Sequence, residues 1–252
     1  MIPACRSALR AVVTGSFAAA AAAIVVIPAA AAAASSRIVT FHTDDGVNIV
    51  ATLHEAVRRP APAVILLHML GRSREDWQAV ADRLAEAGIH ALAIDFRGHG
   101  VSSAGPTGPD GAPDWSRMTL DVKAARAFLG ARPDLVQDSA IGIAGASIGA
   151  SVAVIAAAED PSIRSLALLS PSIVYRSLRA DAPLRKYGPR PALFVAGTDD
   201  PYAMRSVKDL AGLGGGLREI KTLDAAGHGT IMLDRDPNLG HALVDWFQRT
   251  LL

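Results

Sequence analysis

Runs of apolar residues alternate with amphipathic runs along this chain, from Arg37 to the last residue. Continuous apolar runs such as Ala63 to Leu67 are typical of strands that are buried on both faces of a parallel sheet. Between these runs, apolar side chains recur at the three- and four-residue spacing of helices, as they do from Trp77 to Leu84. The alternation predicts an α/β fold, with a mostly parallel sheet of about eight strands and helices on both faces.

Predicted strands and helices follow one another, apart from a first hairpin whose turn is Asp44-Asp45-Gly46. The predicted strands are Arg37 to His42, Val47 to Leu53, Ala63 to Leu67, His90 to Asp95, a run that begins at Ala140, Ser165 to Leu169, Pro191 to Ala196 and Leu217 to Leu223. The predicted helices are one that Ser73 caps with Asp76 as partner and Gly88 ends, Leu120 to Leu129, the run after Ser147, Met204 to Leu213 and Leu239 to Leu252. Ligands of such sheets bind beyond the carboxyl ends of the strands, so chemistry is expected there.

One segment joins a strand to a helix without a gap. Gly145-Ala146-Ser147-Ile148-Gly149 follows an apolar strand and precedes an alanine- and valine-rich run with no charge until Glu159. A turn this sharp strains the backbone of the serine and leaves no room for side chains two residues to either side, where glycine stands. The pattern predicts that the Ser147 hydroxyl is raised above the sheet edge as a nucleophile.

A serine hydroxyl is a weak nucleophile at neutral pH, so it needs a base within hydrogen-bond reach, and the base needs an acceptor. Asp199 and Asp200 follow the predicted strand Pro191 to Ala196, and His228 stands between two glycines after the next strand. On the residues alone, either carboxylate can be the acid. The serine, acid and histidine all follow predicted strands, in the order Ser, Asp, His, and we predict that they form a catalytic triad.

Taken singly, an Asp-Asp-Pro or a Gly-His-Gly segment is more often an ordinary turn, and only the conjunction with the serine turn favours catalysis. Other histidines are predicted to be ordinary strand or helix residues: His42, His54, His90 and His241. No histidines and carboxylates share the spacing of a metal site. We therefore expect no metal and no other cofactor.

The first 34 residues differ in composition from the rest. Two arginines precede an almost wholly apolar stretch, Ala11 to Ala34, which ends in small residues at the spacing of a cleavage site. We expect a signal peptide over residues 1–34, export to the periplasm or the exterior, and one domain over residues 35–252 without stable membrane association. The alternative is an uncleaved anchor, although alanine is only weakly hydrophobic. Cleavage removes Cys5, the only cysteine, and with it any thiol chemistry.

Charge gives no reason to expect a nucleic-acid partner. The formal net charge is +1 over 252 residues, and lysines and arginines are scattered along the chain. Half of the residues are hydrophobic and 5% are aromatic, which suits one globular domain with a sizeable core. The expected partner is a small-molecule substrate.

Five segments are similar to the motifs of a known superfamily. They are Leu66-Leu-His-Met-Leu-Gly71, Asp95-Phe-Arg-Gly-His-Gly-Val-Ser102, Gly145-Ala-Ser-Ile-Gly149, Gly197-Thr-Asp-Asp200 and Gly227-His-Gly229. With these motifs, the chain from Arg37 to Leu252 resembles the α/β-hydrolase superfamily, and within it the dienelactone hydrolase-like and small serine esterase members. The resemblance implies that Asp200 is the triad acid. For Asp95, Arg97 and His99 we expect a hydrogen-bonded turn without a chemical role.

The resemblance also implies an oxyanion hole. One N–H donor comes from Ile148 and the second from Leu70 or Met69, and His68 is a structural residue of that loop. Family members usually have glycine after this histidine, where the chain has Met69. Because glycine there lets the backbone approach a substrate, the second donor stays open between the two residues.

The combined interpretation is an exported serine hydrolase that cleaves small, short-acyl carboxylic esters through an acyl-enzyme. Larger members insert a cap in the segment that here runs only from Pro171 to Arg190, so we expect a minimal cap and a shallow apolar acyl site, with Tyr202 or Trp115 at its rim. A small serine peptidase and an acyltransferase or perhydrolase share the same residues. The non-enzymatic alternative is a binding protein on a hydrolase scaffold, which would be marked by loss of a triad residue.

Overall fold

A computed structural model describes Met1, residues 35–107, Gly111 and residues 113–252. All of these residues except Met1 belong to one unit of the chain, residues 32–252. The expected signal peptide, residues 1–34, lies outside the described residues apart from Met1. Within the described part, no helix combines the length and the apolar character needed to cross a membrane.

A mostly parallel sheet forms the centre of the molecule. In the described part of the chain the strands are β1 (Ser35–His42), β2 (Asn48–Glu55), β3 (Ala61–Leu67), β4 (His90–Ile94), β5 (Val136–Ala146), β6 (Ile163–Leu169), β7 (Val174–Tyr175), β8 (Leu178–Arg179), β9 (Ala192–Gly197) and β10 (Arg218–Leu223). Eight of them form one sheet in the order β1-β2-β4-β3-β5-β6-β9-β10. The pairs β1–β2 and β2–β4 are antiparallel and all other pairs are parallel. The predicted fold class is confirmed.

Helices cover both faces of this sheet. They are α1 (Gln78–Glu86), α2 (Met118–Gly130), α3 (Ile148–Glu159), α4 (Asp181–Tyr187), α5 (Pro201–Ala211), α6 (Ile231–Arg235) and α7 (Leu239–Leu251). The apolar residues of α1 and α7 pack on one face, and those of α2, α3 and α5 pack on the other. Strands between two apolar layers are buried on both sides, as in β3, where all seven residues are buried.

The structure corrects the predicted start of the first helix. Ser73 precedes a 3-10 turn, Arg74–Trp77, and α1 begins only at Gln78; the Ser73 hydroxyl caps no backbone N–H. Asp76, the expected partner in that cap, instead accepts a hydrogen bond from the Thr230 hydroxyl. The predicted cap does not form because Arg72 and Thr230 both bind the Asp76 carboxylate, and the Asp76 N–H donates to the Ser73 carbonyl oxygen (3.3 Å) instead of its hydroxyl.

A small cap lies between β6 and β9. β7 and β8 form a two-stranded antiparallel hairpin, and α4 follows it. The Tyr202 hydroxyl ties the hairpin to α5 by donating to the Val174 carbonyl oxygen (2.9 Å). At the tip of the hairpin, the Arg176 guanidinium lies 5.7 Å from the centre of the Trp115 ring. The two aromatic residues expected at the rim of the site therefore both contact this cap.

Candidate active site

The turn between β5 and α3 holds Ser147 in a strained conformation. Its φ is 52° and its ψ is −115°, a combination that residues other than glycine rarely adopt. A Cβ on Gly145 would lie 2.3 Å from the Gly149 carbonyl oxygen, and a Cβ on Gly149 would lie 2.6 Å from the Leu67 carbonyl oxygen. Neither distance is possible for real atoms, so strand and helix can close around the serine only because both positions are glycine.

The serine is fixed by the strands and helix around it. The Ser147 N–H donates to the Leu169 carbonyl oxygen at the end of β6 (2.8 Å). Residues 148–154 of α3 are all buried, so the first two turns of this helix are enclosed on every side. A close-packed helix cannot shift without repacking the core. The position of the Ser147 hydroxyl is therefore set by the interior of the molecule.

His228 joins the serine to a carboxylate. Its Nε2 lies 2.8 Å from Ser147 Oγ and its Nδ1 lies 2.5 Å from Asp200 Oδ2. An ionised carboxylate accepts hydrogen bonds only, so Nδ1 carries the proton and Nε2 presents its lone pair to the serine. The imidazole is 43% exposed and the carboxylate 13% exposed. The hydrogen bonds from Asp200 through His228 to Ser147 thus connect a nearly buried carboxylate to a partly exposed imidazole and the serine hydroxyl.

The adjacent aspartates have different partners. Asp200 Oδ1 caps α5 by accepting the Ala203 N–H (3.1 Å), which leaves Oδ2 for the histidine. Asp199 Oδ1 accepts the Gly227 N–H (2.9 Å), one residue before the histidine. Asp200 therefore orients the imidazole, and Asp199 holds the backbone of its loop.

Two further residues anchor the histidine loop. The Gly229 N–H donates to Ser170 Oγ (2.9 Å), and the Thr230 hydroxyl donates to the Asp76 carboxylate. Sequence reasoning missed both contacts. They join residues 59 and 154 positions apart, and a pattern read along the chain carries no signal for pairs at such separations.

Two peptide groups before α1 have defined orientations. The His68 carbonyl oxygen would lie only 2.7 Å from a Cβ on Gly149, so it faces the start of α3. In a trans peptide the N–H points opposite to the carbonyl, so the Met69 N–H points away from that helix. The Met69 carbonyl accepts from His68 Nδ1 (2.7 Å) and the Arg72 N–H (3.3 Å). Because the Met69 carbonyl and the Leu70 N–H belong to one trans peptide, the Leu70 N–H points away from His68 Nδ1 and the Arg72 N–H.

Interactions of His68 explain how this loop is held. Its Nε2 accepts the Phe96 N–H (3.0 Å), so its proton is on Nδ1, which donates to the Met69 carbonyl. Burial lowers the pKa of His68 to about 4. The ring is therefore neutral at physiological pH and serves the loop as a structural residue.

A second set of charged residues follows β4, and we call it the arginine cluster: Asp45, Arg74, Asp95, Arg97 and Asp121. Asp95 pairs with the Arg74 guanidinium and accepts the Arg74 N–H (2.8 Å). The Arg97 guanidinium contacts both Asp121 (2.7 Å) and Asp45 (2.8 Å). Hydrogen bonding from Arg97 lowers the pKa of Asp45, whereas burial raises the pKa of Asp121. The cluster joins the turn after β4 to neighbouring elements, as expected of a structural turn.

A cavity of about 280 Å³ adjoins this turn, with His99, Trp115 and Met118 in its wall. The His99 ring lies 5.1 Å from the ring of His68, so the cavity is next to the loop that contains Met69. Another cavity, of about 360 Å³, lies between α2 and α3, and none of the three triad candidates lines either cavity. Within the described ranges no group of three or more metal-binding side chains is arranged to hold an ion.

One family model matches the chain. It is described as Serine aminopeptidase, S33, and it matches residues 58–195, more than half of the chain. The matched segment includes Ser147 and ends before Asp200 and His228. A comparison with curated protein sequences found no match.

Several solved structures have a similar fold. An esterase of Pyrococcus furiosus superposes with a TM-score of 0.70 at 20% identity, covering 87% of this chain and 92% of that one. A dienelactone hydrolase from Anabaena variabilis gives 0.68 at 20% identity, with 87% and 99% covered. The esterase domain of a Rhodothermus marinus protein gives 0.67 at 19% identity, with 86% and 100% covered.

Proposed function

The chain belongs to the family described as Serine aminopeptidase, S33, in the α/β-hydrolase superfamily, and from this membership we propose that it is a serine hydrolase that cleaves small carboxylic esters. The observation that carries the proposal is the hydrogen-bonded chain Asp200–His228–Ser147. Such a chain supplies a nucleophile, a base and an orienting acid in the geometry that acyl transfer needs. A binding protein on the same scaffold would have no use for it.

In the proposed reaction, Ser147 Oγ attacks the acyl carbon while His228 Nε2 takes the hydroxyl proton. The imidazolium, stabilised by Asp200, returns that proton to the departing alkoxide, and an acyl-enzyme remains. Water then attacks the acyl carbon, and its proton passes through His228 to Ser147 Oγ as the acid leaves. No group beyond the protein and water takes part.

We assign the oxyanion donors to the N–H groups of Ile148 and Leu70. Ile148 is the first residue of α3, so its N–H has no acceptor within the helix and lies at the positive end of the helix dipole. Leu70 is preferred to Met69 because the Met69 N–H points away from α3. The Met69 carbonyl faces His68 Nδ1 and the Arg72 N–H, so the Leu70 N–H of the same peptide points to the opposite side. Each donor is worth roughly 10²–10³ in rate.

The carboxylates near the serine favour an ester over an aminopeptidase substrate. An aminopeptidase must bind the free ammonium group of its substrate, which calls for a carboxylate with open hydrogen-bonding capacity. Asp199 Oδ1 accepts the Gly227 N–H and its Oδ2 lies 3.7 Å from the Arg235 guanidinium, while Asp95 and Asp121 are engaged by arginines of the arginine cluster. An ester substrate makes no such demand, and its alkoxide leaving group departs more readily than an amine.

The size of the cap favours short acyl groups. A two-stranded hairpin and the short helix α4 are all that cover this edge between β6 and β9. The half-buried side chains of Met69 and Leu70 supply apolar surface after β3, and this surface adjoins the histidine loop because a Cβ on Gly229 would lie 2.5 Å from Met69 Sδ. Each methylene that fits adds up to ~0.8 kcal/mol, about fourfold in kcat/KM, until the pocket ends.

The test is kcat/KM over p-nitrophenyl esters from acetate to palmitate, with alanine p-nitroanilide as the aminopeptidase substrate and Ser147→Ala as the control. We expect a maximum at short chains, no activity on the anilide and none in the variant. A steady rise to palmitate would contradict the short-acyl site. Activity on the anilide alone would favour the peptidase, and product formed only with an added alcohol or peroxide acceptor would favour acyl transfer.

We also propose that the protein is exported and that residues 1–34 are removed. The support is the apolar stretch of Ala11 to Ala34 after two arginines. Mass spectrometry of the protein from the native host should find an N-terminus near Ala34 or Ser35. Full-length chain in the membrane fraction would instead favour an anchor.

A further inference from the structure

The end of β6 holds the backbone of both the serine turn and the histidine loop. The Leu169 carbonyl accepts the Ser147 N–H (2.8 Å), and the hydroxyl of the next residue, Ser170, accepts the Gly229 N–H (2.9 Å). Two consecutive residues therefore hold the serine turn and the histidine loop. Any displacement of one relative to the other changes the distance between Ser147 Oγ and His228 Nε2.

Ser170 adopts a backbone conformation that favours glycine. Its φ is 47°, which lies in the left-handed region, where any residue with a Cβ is strained. The side chain is fully buried, and the backbone N–H donates to the Val195 carbonyl oxygen (2.7 Å). Glycine would fit this backbone without strain, so the feature that requires explanation is the hydroxyl.

The histidine loop needs anchors because glycines flank His228. Gly227 and Gly229 have φ values of 81° and 62°, and glycine restricts the backbone less than any other residue. The N–H of each is held by a side chain, Gly227 by Asp199 and Gly229 by Ser170. Asp199 is 40% exposed, so water can replace its contact, whereas the buried Ser170 hydroxyl has no such substitute.

We propose that Ser170 is a positioning residue that fixes His228 against Ser147. This inference rests on the proposed function of the triad. The Ser170 hydroxyl holds the Gly229 N–H, the held peptide fixes the end of the histidine loop, and the imidazole stays within hydrogen-bond distance of the serine. Displacing a catalytic group by about 1 Å can cost on the order of 10²-fold in rate.

Two substitutions separate the hydroxyl from the backbone strain. Ser170→Gly removes both the hydroxyl and the strain, and Ser170→Ala removes the hydroxyl alone. We expect kcat on p-nitrophenyl acetate to fall about 10- to 100-fold in both variants, with KM within about twofold. The Tm of Ser170→Gly should equal or exceed that of Ser170→Ala. Asp199→Ala, which removes the exposed anchor, should lower kcat only a few fold.

The low-field proton NMR signal of His228 Nδ1–H provides a readout without turnover. It should be sharp in the wild-type protein, absent in His228→Ala, and broadened or shifted in Ser170→Gly. Wild-type kcat and an unchanged signal in Ser170→Gly would overturn the inference while leaving the proposed function intact. The inference would also be overturned if the loss of kcat were proportional to the loss of Tm in Ser170→Gly and Ser170→Ala. If the wild-type protein neither hydrolyses esters nor labels at Ser147 with a fluorophosphonate, the proposed function itself fails.

Discussion

Two sets of charged residues lie past the strand ends, and they differ in whether their hydrogen bonding is complete. In the arginine cluster, the Arg97 guanidinium contacts two carboxylates and Asp95 meets a guanidinium and backbone N–H groups. In the triad candidate, Asp200 binds His228, His228 reaches Ser147, and the imidazole is 43% exposed. The first set is closed and the second opens onto the surface.

The difference shows that residue type does not decide between structure and chemistry. Both sets contain an aspartate that is held by more than one donor, and both lie at the same edge of one sheet. Breaking a closed set is costly to the fold because it leaves a buried charge without its partner. In an open set, the last side chain of the series is accessible and can react with a substrate. Substitutions in each set should therefore affect different quantities. One substitution in each set and a third at His68 test this, from the largest expected effect to the smallest.

Asp200→Asn should have the largest effect. Asparagine is as good an N-cap as aspartate, so α5 should keep its cap and the fold should persist. The histidine loses the acceptor that fixes its tautomer, and kcat should fall by about 10⁴-fold. The measurement is ester hydrolysis with a thermal melt alongside.

Asp199→Asn is the matched control for this prediction. It changes the same charge one residue away, and its amide oxygen can still accept the Gly227 N–H, so kcat should stay within a few fold. A larger loss in Asp199→Asn than in Asp200→Asn would mean that the acid has been misassigned.

Arg97→Met should destabilise the protein rather than its chemistry. It leaves Asp121 buried without its guanidinium partner, which should lower the free energy of unfolding by about 3–5 kcal/mol. Fluorophosphonate labelling of the folded protein should change little. The matched control is Arg249→Met, which breaks exposed ion pairs with Glu219 and Asp245 and should cost under about 1 kcal/mol. If urea denaturation showed that Arg97→Met and Arg249→Met lower the free energy of unfolding equally, the distinction between closed and exposed pairs would be refuted.

His68 extends the comparison to two histidines, one buried and one open. Burial holds the pKa of His68 at about 4, below the value of about 6.5 in an unfolded chain. As pH falls from about 6.5 to 4, His68 binds a proton in the unfolded chain but not in the folded chain. The free energy of unfolding should therefore fall by up to about 3 kcal/mol across that window, and the full contribution should be present above pH 6.5.

His68→Asn should flatten this pH dependence. Denaturation at pH 7, 6, 5 and 4.5 measures the slope, and His241→Asn, at an exposed position of α7, is the matched control. Parallel curves for the wild-type and His68→Asn proteins would show that His68 contributes nothing to the slope.

Features that depend on neighbouring residues could be predicted from the sequence. The serine turn follows from glycines two residues to either side of Ser147, and the strands follow from their apolar runs. The order of Ser147, Asp200 and His228 indicates the candidate site because carboxyl ends of parallel strands share one edge. The residues alone leave the choice between Asp199 and Asp200 open, and only the resemblance selects Asp200, since the geometry of the turn determines which carboxylate faces the imidazole.

Features that depend on distant residues could not be predicted in this way. Asp76 was expected to join a local cap and instead binds Arg72 and also Thr230, which is 154 positions away. Ser170 gave no signal because its role depends on a φ value and on a contact with Gly229. The helix α6 was missed because five residues, Ile231–Arg235, are too few to show a helical period.

Under the proposed function, Asp200 serves both the fold and the chemistry, because it caps α5 and binds His228, and this determines how the position can change in evolution. A descendant that abandons hydrolysis still needs a residue that caps α5, and serine, threonine or asparagine meets that need. Alanine or leucine does not, and glutamate places its carboxylate one methylene too far along. Inactive descendants should therefore carry Asn, Ser or Thr at position 200 beside an intact helix. In a family tree, the residue at this position would separate lineages that retain hydrolase activity from those that retain only the fold.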